Sequence, residues 1–207
     1  GSYALVDDFF MTVGKSGMGK TLEGDLRTPI GVYFVTSYLP GQDLPDRYGP
    51  GAFPINYPNI LDKRNNRTGY GIWIHGTESA NYNRVPLASD GCISLSNDEF
   101  LKISQFIDTN GSTPVIITEN ITWVEPEEIS TNQSRFQSLV KQWIDDWESL
   151  DDSSYLKHYS RSSFQGGGRD YENWASHKKR VNSGKQFIRV DISGLSMFIY
   201  PGEENMV

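Results

Sequence analysis

Two periodicities divide the chain. Up to Thr118, apolar residues alternate in short runs bounded by Gly, Pro, Asn and Asp, the mark of half-buried strands. Residues 9–13 and 31–37 read as strands, the second being Gly-Val-Tyr-Phe-Val-Thr-Ser. Residues 40–68 read as long loops of the kind that build lids and clefts. Residues 70–75 predict a strand with Tyr70, Ile72 and Ile74 on one face and Trp73 and His75 on the other. A helix is expected after Ser96. Ser96 and Glu99 make a capping box, Phe100, Ile103, Phe106 and Ile107 form its apolar stripe, and Asn110-Gly111 stops it. Residues 114–118 add a buried strand.

The period then changes. Residues 119–132 are acidic and polar and read as a linker. Phe136, Leu139, Val140, Trp143, Ile144, Trp147 and Leu150 follow at helical spacing, and Asp151-Asp152 ends the helix. Residues 155–159 and 170–181, the latter around Trp174, predict two more helices. Residues 187–192 and 195–200 predict strands flanking a Ser193-Gly194 turn. The expected division is a mostly β domain over 1–120, a linker over 121–132, and a small α+β domain over 133–207. The second helix should bury Phe136, Val140, Trp143 and Trp147 against a small sheet of its own.

Composition narrows the class. The 207 residues include 5 Trp, 11 Tyr and 10 Phe, enough to build cores and to exclude a largely disordered chain. A net charge of -7 argues against nucleic acid or an anionic membrane surface as partner; the basic run Lys178-Lys179-Arg180 reads as a solvated helix end. No apolar run reaches the roughly 18 residues a membrane span needs. Gly1-Ser2 reads as the remnant of a cleaved tag, with a signal peptide removed upstream. The single cysteine, Cys92, rules out a disulfide within the chain and a thiolate-rich metal site. It can be buried filler, an intermolecular partner or a nucleophile. No cofactor and no metal are expected.

Gly14-Lys15-Ser16-Gly17-Met18-Gly19-Lys20-Thr21 fits the phosphate-loop pattern G-x-x-x-x-G-K-[ST] and follows a strand. That mechanism needs a helix to begin there, so that its N-terminus and the loop amides cradle phosphate. Gly24 and Pro29 oppose a helix, and a strand begins at Gly31. The run is expected to be a glycine-rich turn carrying exposed lysines.

Cys92 lies in Ser89-Asp90-Gly91-Cys92-Ile93-Ser94, between loops and the helix after Ser96. Small residues before it let backbone approach a ligand and amides point at an oxyanion. Upstream, His75 ends a strand and enters Gly76-Thr77, a place from which an imidazole can turn into a cleft. A cysteine nucleophile needs such a base. The same two residues also suit a buried cysteine and a histidine hydrogen-bonded at a strand end. A papain-like arrangement is disfavoured, because there the cysteine precedes the histidine.

The motifs are more specific than the pair. Ile74-His75-Gly76-Thr77 followed by Ser89-Asp90-Gly91-Cys92-Ile93 resembles the active-site signature of the L,D-transpeptidase (YkuD) family: a His-Gly, a short loop, then Ser-x-Gly-Cys-(Ile/Val)-Arg. Gly24-Asp25-Leu26-Arg27-Thr28-Pro29-Ile30-Gly31 matches a second hallmark, G-D-x-x-T-P-x-G before a core strand. The resemblance implies a β-sandwich with a capping helix, acting in the periplasm or cell envelope on peptidoglycan stem peptides. Cys92 would attack the meso-diaminopimelate–D-alanine bond, and the acyl-enzyme would pass to an amine. Resolution by water would make it an L,D-carboxypeptidase, and a silent wall-binding module is a further alternative.

The resemblance also assigns roles. His75 would be the base, oriented by the Gly76 carbonyl; amides near Gly91 and Cys92 would form the oxyanion hole; Ser89 would order the loop. The family arginine two places after the cysteine is Ser94 here, which either touches substrate or caps the next turn. Asn56, Tyr57 and Arg84 suit the rim of a site for carboxylate-bearing substrate, or staple loops. The helix ending Trp143-Ile144-Asp145-Asp146-Trp147, with Tyr155-Leu156 and Trp174, resembles the NTF2-like domain fused to some members. That fold needs more strands than the two predicted, and the family hairpin before residue 9 is missing at Asp7-Asp8, so segments absent from this sequence are expected.

Overall fold

The computed structural model describes residues 5–164 and 166–202; Gly1-Ser2 and residues 203–207 of the expected second domain lie outside them. The chain divides into one unit of Gly1–Thr122 with Phe198–Val207 and another of Trp123–Met197.

The first unit has eight short strands: β1 (Val13–Gly14), β2 (Gly31–Phe34), β3 (Leu39–Pro40), β4 (Gly51–Pro54), β5 (Trp73–His75), β6 (Leu87–Ser89), β7 (Ile93–Ser94) and β8 (Pro114–Ile117). Its helices are α1 (Ile60–Arg64) and α2 (Asn97–Ser104). One sheet runs β3-β4-β5-β7, while β1 pairs with β6 and β2 with β8. Single bridges, Thr12↔Ser94 and Val35↔Ile55, tie the three together. Tyr33, Val35, Phe53, Ile74, Ile93 and Phe100 are central to the shared core.

β4 lies within the segment expected to be loop. Ala52 and Phe53 are both buried, so its apolar residues do not alternate, and the flanking Gly51 and Pro54 hide it further. α2 starts as expected: Ser96 Oγ accepts the Glu99 amide at 3.3 Å, and Glu99 Oε2 accepts the Ser96 amide at 3.1 Å. Phe100 is fully buried against Phe53, ring centroids 5.2 Å apart. The helix ends at Ser104, before Phe106, which is exposed; Ile103 and Ile107 do reach the core.

In the second unit, α3 (Pro126–Glu148) begins inside the expected linker. Pro126 suits a first helical turn, where its missing N–H costs nothing, and Glu127 and Glu128 favour the helix N-terminus. α4 (Asp152–Leu156) and α5 (Tyr171–Asn182) follow. They enclose an aromatic cluster built on Tyr155 and Tyr171, with Trp143, Trp147, Tyr159 and Trp174 packed against it. Trp143 Nε1 donates to Tyr159 Oη at 3.0 Å, and the Lys178 ammonium lies 5.2 Å from the Trp147 ring centroid.

Among the described residues this unit has no strand beyond an isolated Gly166↔Arg169 bridge. Residues 187–192 and 195–200 alternate but form no ladder, because a hairpin without a third strand or a covering face is marginal. Trp143 and Trp147 therefore meet helices rather than the expected sheet. By contact, Phe198 and Tyr200 group with the first unit. Phe198 stands edge-on to Phe34 at 6.3 Å, and Tyr200 Oη accepts from Asn59 Nδ2 at 3.3 Å.

Candidate active site

β5 and β7 are adjacent and parallel, with Ile74 opposite Ile93 and His75 opposite Ser94. Ile74 and Ile93 face the core. By alternation His75, Ser94 and Cys92, the residue before β7, share the other face. The sheet register thus assembles the His-Gly and Ser-x-Gly-Cys motifs on one surface.

His75 is only 2% exposed. Its Nδ1 lies 2.6 Å from the Gly76 carbonyl oxygen. A carbonyl only accepts, so Nδ1 carries the proton and Nε2 keeps the free lone pair. Burial pushes the His75 pKa down to about 4; the Gly76 bond opposes this, and Arg84 and Arg47 reinforce it. At neutral pH the ring is an uncharged base. The Tyr48 ring stands edge-on to it, centroids 5.0 Å apart. Gly76 tolerates no side chain: a Cβ would sit 2.4 Å from Asn97 Oδ1 and 2.7 Å from Pro50 Cδ.

The Cys92 thiol is half-buried and donates to the Gly71 carbonyl at 3.4 Å. Burial pushes its pKa up, against the Trp73 backbone amide, which favours the thiolate. With the imidazole pKa lowered and the thiol pKa raised, the resting pair is neutral rather than thiolate and imidazolium.

Three hydroxyls shape the loop. Ser89 Oγ donates to the Cys92 carbonyl at 2.5 Å and accepts the Gly91 amide at 3.1 Å. Thr28 Oγ1 donates to the Gly91 carbonyl at 3.0 Å and accepts the Gly14 amide at 2.9 Å. Ser94 Oγ donates at 2.8 Å to the same Gly76 carbonyl that holds His75. Gly91 itself adopts φ +126°, a conformation that favours glycine.

Several expected roles change. Ser94 is 0% exposed, so it orients the Gly76 carbonyl and neither meets substrate nor caps a turn. The Gly91 amide, expected as an oxyanion donor, is already bonded to Ser89 Oγ. Asn56 staples β2, its Oδ1 accepting the Phe34 amide at 2.9 Å. Tyr57 is buried, with its hydroxyl on the Thr68 carbonyl at 3.0 Å and burial raising its pKa to about 12. Burial keeps Tyr57 from the expected substrate rim, whereas Asn56 is exposed.

Arg84 does stand near the pair. Its guanidinium grips Glu78 through Nη2 at 2.9 Å and Nε at 3.1 Å, and reaches the Arg47 carbonyl at 2.5 Å. Burial alone would raise the Glu78 carboxyl; hydrogen bonds from Thr77, its own backbone amide and Asn81, with the Arg84 charge, hold it at about 2. Sequence reasoning missed Tyr48 and Glu78, which no motif marks. Thr28 lies within the G-D-x-x-T-P-x-G motif, which does not reveal that its hydroxyl holds the cysteine loop. Among the described residues no group of three or more His, Cys, Asp or Glu is placed to hold a metal ion, and no helix is long and apolar enough to cross a membrane.

Comparison with known proteins agrees with this arrangement. Residues 4–117 match the model of the L,D-transpeptidase catalytic domain (YkuD), and residues 135–207 that of the Cds6 C-terminal NTF2-like domain. Bd1075 of Bdellovibrio bacteriovorus is 33% identical with a TM-score of 0.72; the match covers 86% of this chain and 62% of that one. The helical cell shape determining protein Pgp2 from Campylobacter jejuni is 30% identical with a TM-score of 0.75, over 94% of this chain and 66% of that one. The chain thus spans just under two thirds of the length of these relatives. No curated protein matches it.

Proposed function

Because the chain belongs to the L,D-transpeptidase (YkuD) family and carries an NTF2-like second domain, we propose that it is a peptidoglycan-modifying cysteine enzyme of the cell envelope. Its substrate is the stem tetrapeptide, cut at the meso-diaminopimelate–D-alanine bond, with transfer of the acyl group to an amine. The observation that carries this reading is the His75–Gly76 bond at 2.6 Å, which fixes the tautomer and leaves Nε2 as a base on the face that Cys92 shares.

In this mechanism His75 Nε2 takes the Cys92 proton as sulfur attacks the carbonyl carbon. The Cys92 amide receives the developing oxyanion. The intermediate collapses to a thioester, and the imidazolium returns its proton to the departing D-alanine amine. His75 then deprotonates the acceptor amine, which attacks the thioester and releases the thiol. Because the resting pair is neutral, proton transfer accompanies attack instead of preceding it. Similarity to a helical cell shape determining protein supports a role in cell shape, since wall cross-linking and trimming set wall geometry.

Incubation with purified muropeptides, read by mass, tests the reading. Joined dimers with release of D-alanine are expected. Tripeptides and D-alanine without dimers would make water the acceptor and the protein an L,D-carboxypeptidase. Unchanged muropeptides would leave a wall-binding module.

A further inference from the structure

The lysine of the phosphate-loop-like run has no place in that chemistry, yet it is not the exposed turn residue its sequence predicts. Lys20 is 3% exposed. An ammonium withdrawn from water to this degree is strongly disfavoured unless it is paired. Its Nζ donates to Asp25 Oδ1 at 2.8 Å and to the Leu22 carbonyl at 2.9 Å. Asp25 also gathers the backbone amides of Thr21, Leu22 and Arg27 at 2.8, 3.0 and 3.1 Å. Burial works to raise the Asp25 carboxyl, but these donors outweigh it and hold it well below the usual carboxylate range.

The result is a closed hook that leads directly into Arg27-Thr28. The Lys20 amide donates to the Thr28 carbonyl at 3.2 Å, and the Thr28 amide to Gly17 at 3.0 Å, so the glycine run lies alongside the segment it braces. Thr28 grips the Gly91 carbonyl, and the Arg27 carbonyl lies 2.8 Å from where a Cβ on Gly91 would stand. Gly91 is the covalent neighbour of Cys92. Pattern and hook together therefore place the peptide that carries the thiol.

We propose that Lys20 is a positioning residue for Cys92, acting through Asp25 and Thr28 to hold the Gly91–Cys92 peptide in its attacking geometry. The proposal rests on Cys92 being the nucleophile. The residues that match a phosphate loop bind a carboxylate of their own chain and serve acyl transfer.

The test is acylation by a carbapenem, read by intact mass. The thiol adds to the lactam carbonyl, the ring C–N bond breaks, the proton passes to the lactam nitrogen, and the protein gains the whole carbapenem mass. Lys20→Met should slow the maximal acylation rate between about 10- and 100-fold at unchanged half-saturation, because a displacement of order 1 Å costs that much. Thr28→Val should do the same, and the double variant should be no slower than Thr28→Val alone. Lys20→Arg, which keeps the charge, should recover part of the rate. Iodoacetamide alkylation of Cys92 should move the other way, faster at neutral pH in Lys20→Met, since a loosened loop exposes the thiol and lowers its raised pKa.

If wild-type protein is acylated and Lys20→Met matches it, the positioning role is overturned and Cys92 stands. Losses that multiply in the double variant also overturn it. If wild-type protein is not acylated, the catalytic reading fails, and an alkylation profile unchanged by Lys20→Met then overturns the positioning role as well. Should Lys20→Met fail to fold by circular dichroism, Asp25→Asn and Lys20→Arg carry the same readouts.

Discussion

The two units solve the problem of burial in opposite ways. The first buries Thr12, Lys20, Thr28, His75, Ser89 and Ser94, all of them hydrogen-bonded and most of them around Cys92. In the second, Asn182 is the one residue classed as polar among the buried described positions, and packing rests on Tyr155, Tyr171 and the tryptophans around them. A buried polar group is costly unless it is satisfied, and a satisfied network fixes geometry closely. Aromatic rings supply burial without that precision. Polar burial therefore marks where atoms must be held to a fraction of an ångström.

Substitutions can break or sharpen this contrast. Cys92→Ala should abolish acyl-enzyme and muropeptide turnover completely while circular dichroism stays unchanged; turnover that persists would remove the proposed mechanism. His75→Gln should lower the acylation rate by roughly 10²- to 10⁴-fold. In wild-type protein the acid limb of that rate should fall near pH 4, in line with the lowered His75 pKa, and a limb at 6.5 would contradict the buried neutral base.

Trp147→Ala should cost the second unit about 3 kcal/mol in urea unfolding. Carbapenem acylation of Cys92 should remain within about twofold, since rings there position no reacting atom. A large acylation defect would erase the contrast between the units.

The pH dependence of stability probes polar burial directly. His75 has a folded pKa of about 4, below its ordinary 6.5. The unfolded chain therefore takes up the proton first, and stability present above pH 6.5 is lost as pH falls through 4, by about 3 kcal/mol. Glu78 follows the same sign in a lower window, between its ordinary 4.5 and about 2. Urea midpoints at pH 7, 5.5 and 4 should decline in wild-type protein and decline less in His75→Gln.

The smallest effect belongs to Ser94→Ala, which removes one of two donors from the Gly76 carbonyl. The expected cost is about 1 kcal/mol of stability and a severalfold slower acylation. No change in either would mean that His75 alone orients that carbonyl.

The sequence by itself determined the local features of this protein. Ser96 and Glu99 cap α2 because a hydroxyl and a carboxylate three residues apart satisfy the first-turn amides wherever they occur. The His-Gly and Ser-x-Gly-Cys motifs mark the pair proposed to react, and their glycines and small residues stand where backbone crowds the site. The helical period from Phe136 to Leu150 is likewise local. Only the tertiary structure decided the rest. β4 has buried residues on both faces, so no alternation announces it. Residues 187–200 alternate yet form no strand, since a ladder needs a partner that a one-dimensional pattern does not name. Tyr57 and Ser94 look like substrate contacts by residue type but are buried with their hydroxyls on backbone carbonyls, because a hydrogen-bond partner is chosen by distance in space. Lys20 turns inward for the same reason: Asp25, brought round by the loop, offers a closer and drier anion than any solvent-facing position.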